Sequence, residues 1–180
     1  MNSLVGTWQL IRLAVRRDRA LLLIWVLLLS LIPISFVSAI AGLYPTEIAR
    51  QQLANTVAVT PVFIAFYGPI FSTSVGGLVA WRTGIVPVIL AVISLLTVIR
   101  HTRTEEEAGR RELLGSTVVG RQAGLVAALI VTIGANVVVA ILVGFGMISK
   151  NLPAVGSLAL GLQYAAVGSV FAAIGAVADL

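Results

Sequence analysis

The sequence has no cysteine, one histidine, one lysine and two aspartates among its 180 residues. Without cysteine there can be no disulfide, no thiolate metal site and no catalytic thiol, and cysteine usage indicates no compartment. One histidine and two aspartates are too few for a metal centre or a catalytic triad. The sequence also has no G-x-x-x-x-G-K-[ST] phosphate loop. We therefore expect no enzymatic activity and no metal, nucleotide or other cofactor bound by this chain.

Charged residues are scarce and hydrophobic residues are abundant. Only 11% of the residues are charged, 59% are hydrophobic, and the mean hydropathy is +1.07. A soluble domain carries about 25% charged residues. The net charge of +5 comes mostly from arginines that stand just outside apolar runs, as topology-setting charges do in membrane proteins. Nucleic-acid-binding proteins instead cluster Lys and Arg on one face of a folded domain. The composition predicts a multi-pass protein of the plasma or inner membrane that contacts lipid and no nucleic acid.

Four apolar runs are long enough to cross a bilayer as helices, because about 20 residues cover the hydrocarbon core. They are residues 20–42, 78–99, 123–148 and 152–178. The first is longer than a signal-peptide core, so we favour an uncleaved span, which Pro33 is expected to kink. The short link before Pro153 predicts a helical hairpin. The fold class is thus predicted as all-α and polytopic, with four transmembrane helices in a membrane region covering residues 20–180.

The distribution of arginines predicts which side of the membrane each loop faces. Nine cations flank one side of the spans: Arg12, Arg16, Arg17, Arg19, Arg100, Arg103, Arg110, Arg111 and Arg121. The other side carries only Arg50, Arg82 and Lys150. Cytoplasmic loops carry the excess of Lys and Arg. We therefore expect the N-terminus and the loop 100–121 in the cytoplasm.

Two further segments lie outside the predicted spans. Residues 57–77 are apolar but contain Pro61 and Pro69, so we interpret them as a re-entrant or interfacial segment on the outer side, with a fifth span as the alternative. Residues 1–19 place Leu4, Trp8, Ile11 and Val15 on one helical stripe flanked by Arg12, Arg16 and Arg19. This pattern favours an amphipathic helix along the inner leaflet over a plain basic tail.

The loop 100–121, "RHTRTEEEAGRRELLGSTVVGR", is the most polar stretch of the chain. Thr104 and Glu107 form a capping-box pattern, three glutamates fill the first turn, and arginines follow four residues later. Gly115 suits a helix stop. The pattern predicts a short cytoplasmic helix from Glu105 to Leu114 that docks a partner, although a solvated turn is the alternative. His101 is expected at the headgroup boundary.

A stripe of small residues recurs along the fourth predicted span. Its members are Gly161, Ala165, Gly168, Ala172 and Gly175. Small residues let a second helix approach closely, so we interpret the stripe as a helix-packing ridge rather than a substrate groove. No acid, lysine or histidine lies deep in any predicted span, which argues against a proton- or ion-driven transporter. Any uphill transport would draw its energy from another polypeptide.

Several short blocks, in order along nearly the whole chain, resemble one family. They are "RRDR" (16–19), "LYPTE" (43–47), "YGP" (67–69), "AWR" (80–82), "RHTRTEEEAGRRELL" (100–114) and "VGR" (119–121). The chain resembles type-two ABC exporter permeases of the actinobacterial tetronasin- or multidrug-export-like group. The EEEAGR-x-ELL block is the specific part of this resemblance. Val118 stands where the family often has proline, so the exit from the loop is expected to differ.

The resemblance implies a permease subunit for efflux of hydrophobic or amphipathic compounds, including antibiotics and drugs. A separate subunit would bind ATP and Mg²⁺ and dock on a coupling helix. That docking surface falls on Glu105, Glu106, Glu107, Arg110, Arg111 and Glu112. Family members are much longer, so the chain is expected to correspond to the N-terminal third of such a permease and to need the remaining spans or a second half. Substrate-binding residues are not assigned. A non-transporting membrane scaffold and a small oligomeric secondary transporter are the alternative functions.

Overall fold

The computed structural model describes residues 6–107 and 122–178, and its secondary structure in these ranges is entirely helical. The helices are α1 (Thr7–Leu43), α2 (Glu47–Ala58), α3 (Pro61–Tyr67), α4 (Val75–Arg82), α5 (Ile85–Glu107), α6 (Ala123–Ile148) and α7 (Ala154–Val177). Helices α1, α6 and α7 are each long and apolar enough to cross a membrane, and α4 with α5 forms a fourth candidate span if the bent pair counts as one. The all-α fold is confirmed, with three to four candidate spans.

The long helices form one bundle. Helix α7 packs along both α6 and α5, while α1 packs along α6 on the other side. The bundle core is mainly branched aliphatic side chains with two aromatic ones, among them Trp25, Leu29, Val86, Leu90, Val139, Val143 and Tyr164. Large apolar side chains such as Ile24, Leu28 and Phe145 point outward. An apolar exterior suits a bilayer, where lipid covers the helices as well as a protein core would.

The start of α1 differs from the prediction. Residues 7–19 of the expected interfacial helix and the first span 20–42 lie in one continuous helix, Thr7–Leu43, of 37 residues and about 55 Å. Residues 1–5, with Leu4 of the predicted stripe, lie outside the described residues. No glycine or proline lies between Thr7 and Pro33, so nothing interrupts the helix where the charged segment meets the apolar one. Ala14 and Asp18 face the bundle in these first turns, while Trp8 and Val15 are exposed.

The predicted second span, 78–99, is broken rather than continuous. Helices α4 and α5 meet at Thr83 and Gly84 with a bend of 47°. Pro87 explains the break, because its ring nitrogen cannot donate to the Thr83 carbonyl, which accepts instead from the Val86 amide at 2.9 Å. The Thr83 hydroxyl donates back to the Val79 carbonyl at 2.8 Å, a bond that commonly bends helices.

Helix α5 also extends past the predicted end of the span. Its backbone is helical from Ile85 to Glu107, so Thr104 lies inside a helix and the predicted N-cap there is wrong. No glycine or proline follows Pro87 until Gly109, so the sequence offers no reason to stop earlier. The rest of the predicted docking helix, with Arg110, Arg111 and Glu112, lies outside the described residues.

The connections between α1 and α4 and between α6 and α7 lie at the end of the bundle away from Glu107, and local sequence features explain them. The Thr46 hydroxyl accepts from the Ala49 amide at 3.2 Å and starts α2, and the Ser74 hydroxyl accepts from Gly77 at 3.0 Å and starts α4. Between α6 and α7, Asn151 adopts a left-handed φ of 62°, which asparagine tolerates better than most residues. The predicted helical hairpin is present, with Pro153 just before α7.

Candidate functional site

Four polar side chains meet where the start of α1 approaches the end of α5. Asp18 Oδ2 lies 2.7 Å from Arg100 Nη2 and 2.9 Å from His101 Nε2. Arg17 Nη2 lies 3.1 Å from His101 Nδ1, and Arg17 Nε lies 3.7 Å from Asp18 Oδ1. We refer to Arg17, Asp18, Arg100 and His101 as the Asp18 cluster, and to the part of the bundle that contains it as the arginine-rich end.

The contact between Arg17 and His101 assigns the tautomer of the imidazole. A guanidinium can only donate, so His101 Nδ1 accepts and the ring proton of the neutral form sits on Nε2, which faces Asp18. The Nε2 and Oδ2 atoms are close but poorly aligned for a hydrogen bond. Charge attraction to Arg100 and Arg17 therefore holds the carboxylate more than hydrogen-bond geometry does.

Burial makes this cluster more than a surface ion pair. The Asp18 and His101 side chains are only 10% and 9% exposed, whereas those of Arg17 and Arg100 are 46% exposed. A carboxylate withdrawn from water needs partners that stay in place, and two arginines with a histidine provide them. The cluster thus fastens α1 to α5 at the helical turn that leads into the loop 100–121.

A small cavity lies beside the cluster, between α1 and α6. Its volume is about 40 Å³, and its lining includes Ala14, Arg17, His101, Ala127 and Ala128. This space is large enough for a water molecule, but a drug-sized ligand needs a site of about 300 Å³ or more. Within the described ranges, no three His, Cys, Asp or Glu side chains come together where a metal ion could bind.

Sequence reasoning missed Asp18 and underrated His101. The available signal was that Asp18 is the only acidic residue before Glu47 and stands among four arginines, while His101 is the only histidine. Nothing in the local pattern links the two, because Arg17 and His101 are 84 positions apart. Of the predicted docking residues, Glu105, Glu106 and Glu107 lie on the last turn of α5, one to two turns beyond Arg100 and His101.

The small-residue stripe of α7 faces its neighbouring helices, and all five members are buried. A Cβ at Gly161 would overlap the Ala140 backbone of α6, and one at Gly168 would lie 2.6 Å from the Asn136 side chain. At Gly175 it would lie 3.0 Å from the Leu95 carbonyl oxygen of α5. These distances leave no room for a side chain, so α5, α6 and α7 approach as closely as their backbones allow.

Two polar pairs inside the bundle were also not predicted. Ser94 and Asn136 are fully buried and contact each other between α5 and α6, with Oγ 3.2 Å from both the Oδ1 and Nδ2 atoms. The Thr83 hydroxyl lies 3.1 Å from the Tyr164 hydroxyl, which links the α4–α5 break to α7. In an apolar interior, such pairs favour one helix register over others because an unpaired polar group there is costly.

Comparisons with known proteins show what this chain is similar to in sequence. No family model matches the chain. Over 179 residues, the chain is 41% identical to the multidrug efflux system permease protein Rv1217c of Mycobacterium tuberculosis. The chain is similar to an efflux permease. The match covers 98% of this chain and 32% of that protein, so the chain spans about a third of its relative's length.

The extent of this match matters more than any single block. Since 98% of the chain is aligned, the match takes in the arginines before the first span, the apolar helices and the loop 100–121 together. A permease relative and three to four apolar helices together identify a multi-pass protein of the cell membrane. The resemblance to exporter permeases inferred from the sequence is supported independently by this match.

Proposed function

We propose that this chain forms part of the membrane permease of an ABC-type exporter that moves hydrophobic or amphipathic compounds, including drugs and antibiotics. The observation that carries the proposal is the 41% identity to a multidrug efflux permease across 98% of the chain. The chain has no phosphate loop of its own. In this proposal a separate ATP-hydrolysing subunit binds ATP and Mg²⁺ and supplies the energy.

The proposed docking surface is the loop 100–121, with Glu105, Glu106, Glu107, Arg110, Arg111 and Glu112 as the contacting residues. The structure supports the first part of this surface in one respect. Helix α5 continues without a break from the bundle into Glu107, so force on the glutamates acts directly on a transmembrane helix. A rigid helix transmits displacement better than a flexible loop, because packed elements shift as units.

The Asp18 cluster is the proposed route by which movement of α5 reaches α1. Arg100 and His101 lie on α5 one to two turns before the glutamates, and Asp18 lies on α1. The ion pairs tie α1 to α5, two helices that otherwise make little direct contact along their lengths. In the proposed mechanism the docked subunit moves α5 and the cluster carries α1 with it, while the close packing of α7 against α5 and α6 keeps the bundle together.

The interaction is tested by capturing partners of the tagged chain from its native membranes in mild detergent. The wild-type chain is expected to retain an ATPase that contains a phosphate loop, identified by mass spectrometry. Changing Glu105, Glu106 and Glu107 together to alanine is expected to lower recovery about tenfold, which corresponds to 1.4 kcal/mol. Glu47→Ala removes an exposed acid at the other end of the bundle and is expected to leave recovery unchanged.

Two results would contradict the proposal. A folded, membrane-inserted chain that retains a partner without a phosphate loop would favour the scaffold function instead. Substrate uptake into liposomes that contain only this protein, driven by an ion gradient without ATP, would favour a small secondary transporter. The remaining permease spans should be co-expressed in the capture experiment, because the chain covers only 32% of its relative.

A further inference from the structure

The two short helices between α1 and α4 expose opposite kinds of surface. Helix α2 presents polar side chains, including Glu47, Gln51 and Asn55. Helix α3 buries no residue, and its exposed side chains are all apolar apart from the tip of Tyr67. The large exposed apolar residues of α3 are Val62, Phe63, Ile64 and Phe66, and Phe71 follows shortly after the helix. We call these five residues the α3 patch. Phe66 is 81% exposed and Phe71 93% exposed, so protein contacts do not cover them in the described residues.

The guanidinium of Arg50 shows that this segment leaves and rejoins the bundle at one point. Its Nη1 donates to the Tyr44 carbonyl at 3.0 Å and to the Pro45 carbonyl at 3.2 Å. Its Nε donates to the Thr73 carbonyl at 2.9 Å. Because one side chain binds carbonyls at the start and the end of the segment, residues 45–73 begin and end close together at one level of the bundle.

Neither short helix is long enough to cross the bilayer. Helix α2 has 12 residues and α3 has 7, about 18 Å and 10 Å, against a hydrocarbon core of about 30 Å. In the described structure, residues 57–77 therefore contain no single helix long enough to be a fifth span. The segment stays at the end of the bundle remote from the Asp18 cluster, where Gly76 neighbours Leu152 of the α6–α7 turn.

The surroundings of the α3 patch are typical of a membrane interface. Residues 51–81 contain no charged side chain, and the cations on either side are Arg50 and Arg82. The guanidinium of Arg82 lies 4.6 Å from the centre of the Tyr67 ring, and Trp81 Nε1 donates to the Gly68 carbonyl at 2.8 Å. Tyrosine and tryptophan concentrate at the headgroup level, and arginines reach toward it.

Several backbone carbonyls at the turns are also satisfied from within the protein. Arg50 binds those of Tyr44, Pro45 and Thr73, and Trp81 binds that of Gly68. Irregular backbone is tolerated next to lipid only where other groups satisfy it, which restricts such a segment to a shallow position. The polar face of α2 and the apolar patch of α3 would then lie on the two sides of the boundary between water and acyl chains.

We propose that the α3 patch inserts into the adjoining lipid leaflet, at shallow depth, while the polar face of α2 stays in water. The ligand of this surface is the acyl-chain region of the bilayer. The long helices of the bundle also expose large apolar side chains, as lipid-facing surfaces do. This inference concerns the membrane surface of the chain and does not depend on docking of an ATPase.

The absence of cysteine permits a direct test with single introduced cysteines. Phe66→Cys and Gln51→Cys, each labelled with bimane, are reconstituted in phosphatidylcholine vesicles with iodide on both sides or with brominated lipid. The Phe66→Cys label is expected to emit at shorter wavelength and to be quenched several-fold more by brominated lipid than the Gln51→Cys label. Iodide is expected to show the opposite preference, because it stays in water.

Both positions are exposed and lie on neighbouring helices, so the labels differ mainly in what surrounds them. If iodide quenched the Phe66→Cys label as strongly as the Gln51→Cys label, the patch would lie in water and the proposal would be wrong. If neither quencher reached Phe66→Cys, protein rather than lipid would cover the patch, which would also overturn it.

Discussion

Gly161→Ala is expected to lower the thermal stability of the bundle, whereas Gly156→Ala on the same helix is not. A Cβ at Gly161 would overlap the Ala140 backbone, which cannot rotate away as a side chain can, so α6 and α7 must separate. Overpacking of this kind costs about 1–3 kcal/mol. The gain in helix propensity from glycine to alanine, about 1 kcal/mol, offsets only part of that cost. The measurement is the melting temperature of the purified protein in detergent, followed by circular dichroism.

The matched control isolates packing from propensity. Nothing lies within 4 Å of a Cβ at Gly156 in α7 or at Gly134 in α6, so alanine there gains helix propensity without a clash. Both control variants are expected to melt at or above the wild-type temperature. If Gly161→Ala melted together with the controls, α6 and α7 would not be in backbone contact, and the interpretation of the small-residue stripe as a packing ridge would fail.

Asp18→Asn is expected to destabilise the protein and to loosen α1 from α5. The change keeps the size of the side chain but removes the charge that Arg17 and Arg100 surround. Removing one partner of a fully buried ion pair costs about 3–5 kcal/mol, and we expect about 1–3 kcal/mol because half of each guanidinium reaches solvent. The measurement is again the melting temperature. Glu47→Gln is the control, because it removes an exposed carboxylate whose loss should have little effect on stability.

A double-mutant cycle shows whether the pair itself is responsible. Asp18→Asn, Arg100→Gln and the double variant are compared, because residues in one ion-pair network couple whereas independent residues add. The loss of unfolding free energy in the double variant is expected to be clearly smaller than the sum of the losses in the two single variants. Losses that added within about 0.5 kcal/mol would show that Asp18 and Arg100 act independently and would remove the cluster from the proposed route.

Much of the fold could be predicted from the sequence because lipid imposes a simple rule on helix length and composition. Runs of about 20 apolar residues gave the correct positions for α6, α7 and most of α1. The small-residue stripe was visible because its members recur on one helical face. The break in the second span was not predicted, although Gly84 and Pro87 lie inside the predicted span 78–99 and a proline inside a helix commonly breaks or kinks it.

The remaining features depend on contacts between distant parts of the chain. The Asp18 cluster exists because α1 extends unbroken past the apolar run, which brings Asp18 level with Arg100 and His101 of α5. The hydrogen bonds of Arg50 go to backbone carbonyls up to 23 positions away. These carbonyls lie in irregular segments, so the sequence pattern does not show which way they point. Local hydrophobic periodicity does not indicate either arrangement. It does distinguish the polar segment that forms α2 from the apolar segment that forms α3.

The proposed function requires that energy reaches the bundle from the cytoplasm through the arginine-rich end. Single cysteines at Gln122, which follows the loop 100–121, and at Ser149, in the α6–α7 turn, report on the two ends of the bundle. In intact cells a membrane-impermeant maleimide is expected to label Ser149→Cys and not Gln122→Cys, and both after permeabilisation. Labelling of Gln122→Cys alone in intact cells would place the loop outside, beyond the reach of any ATP-hydrolysing subunit, and would contradict the account.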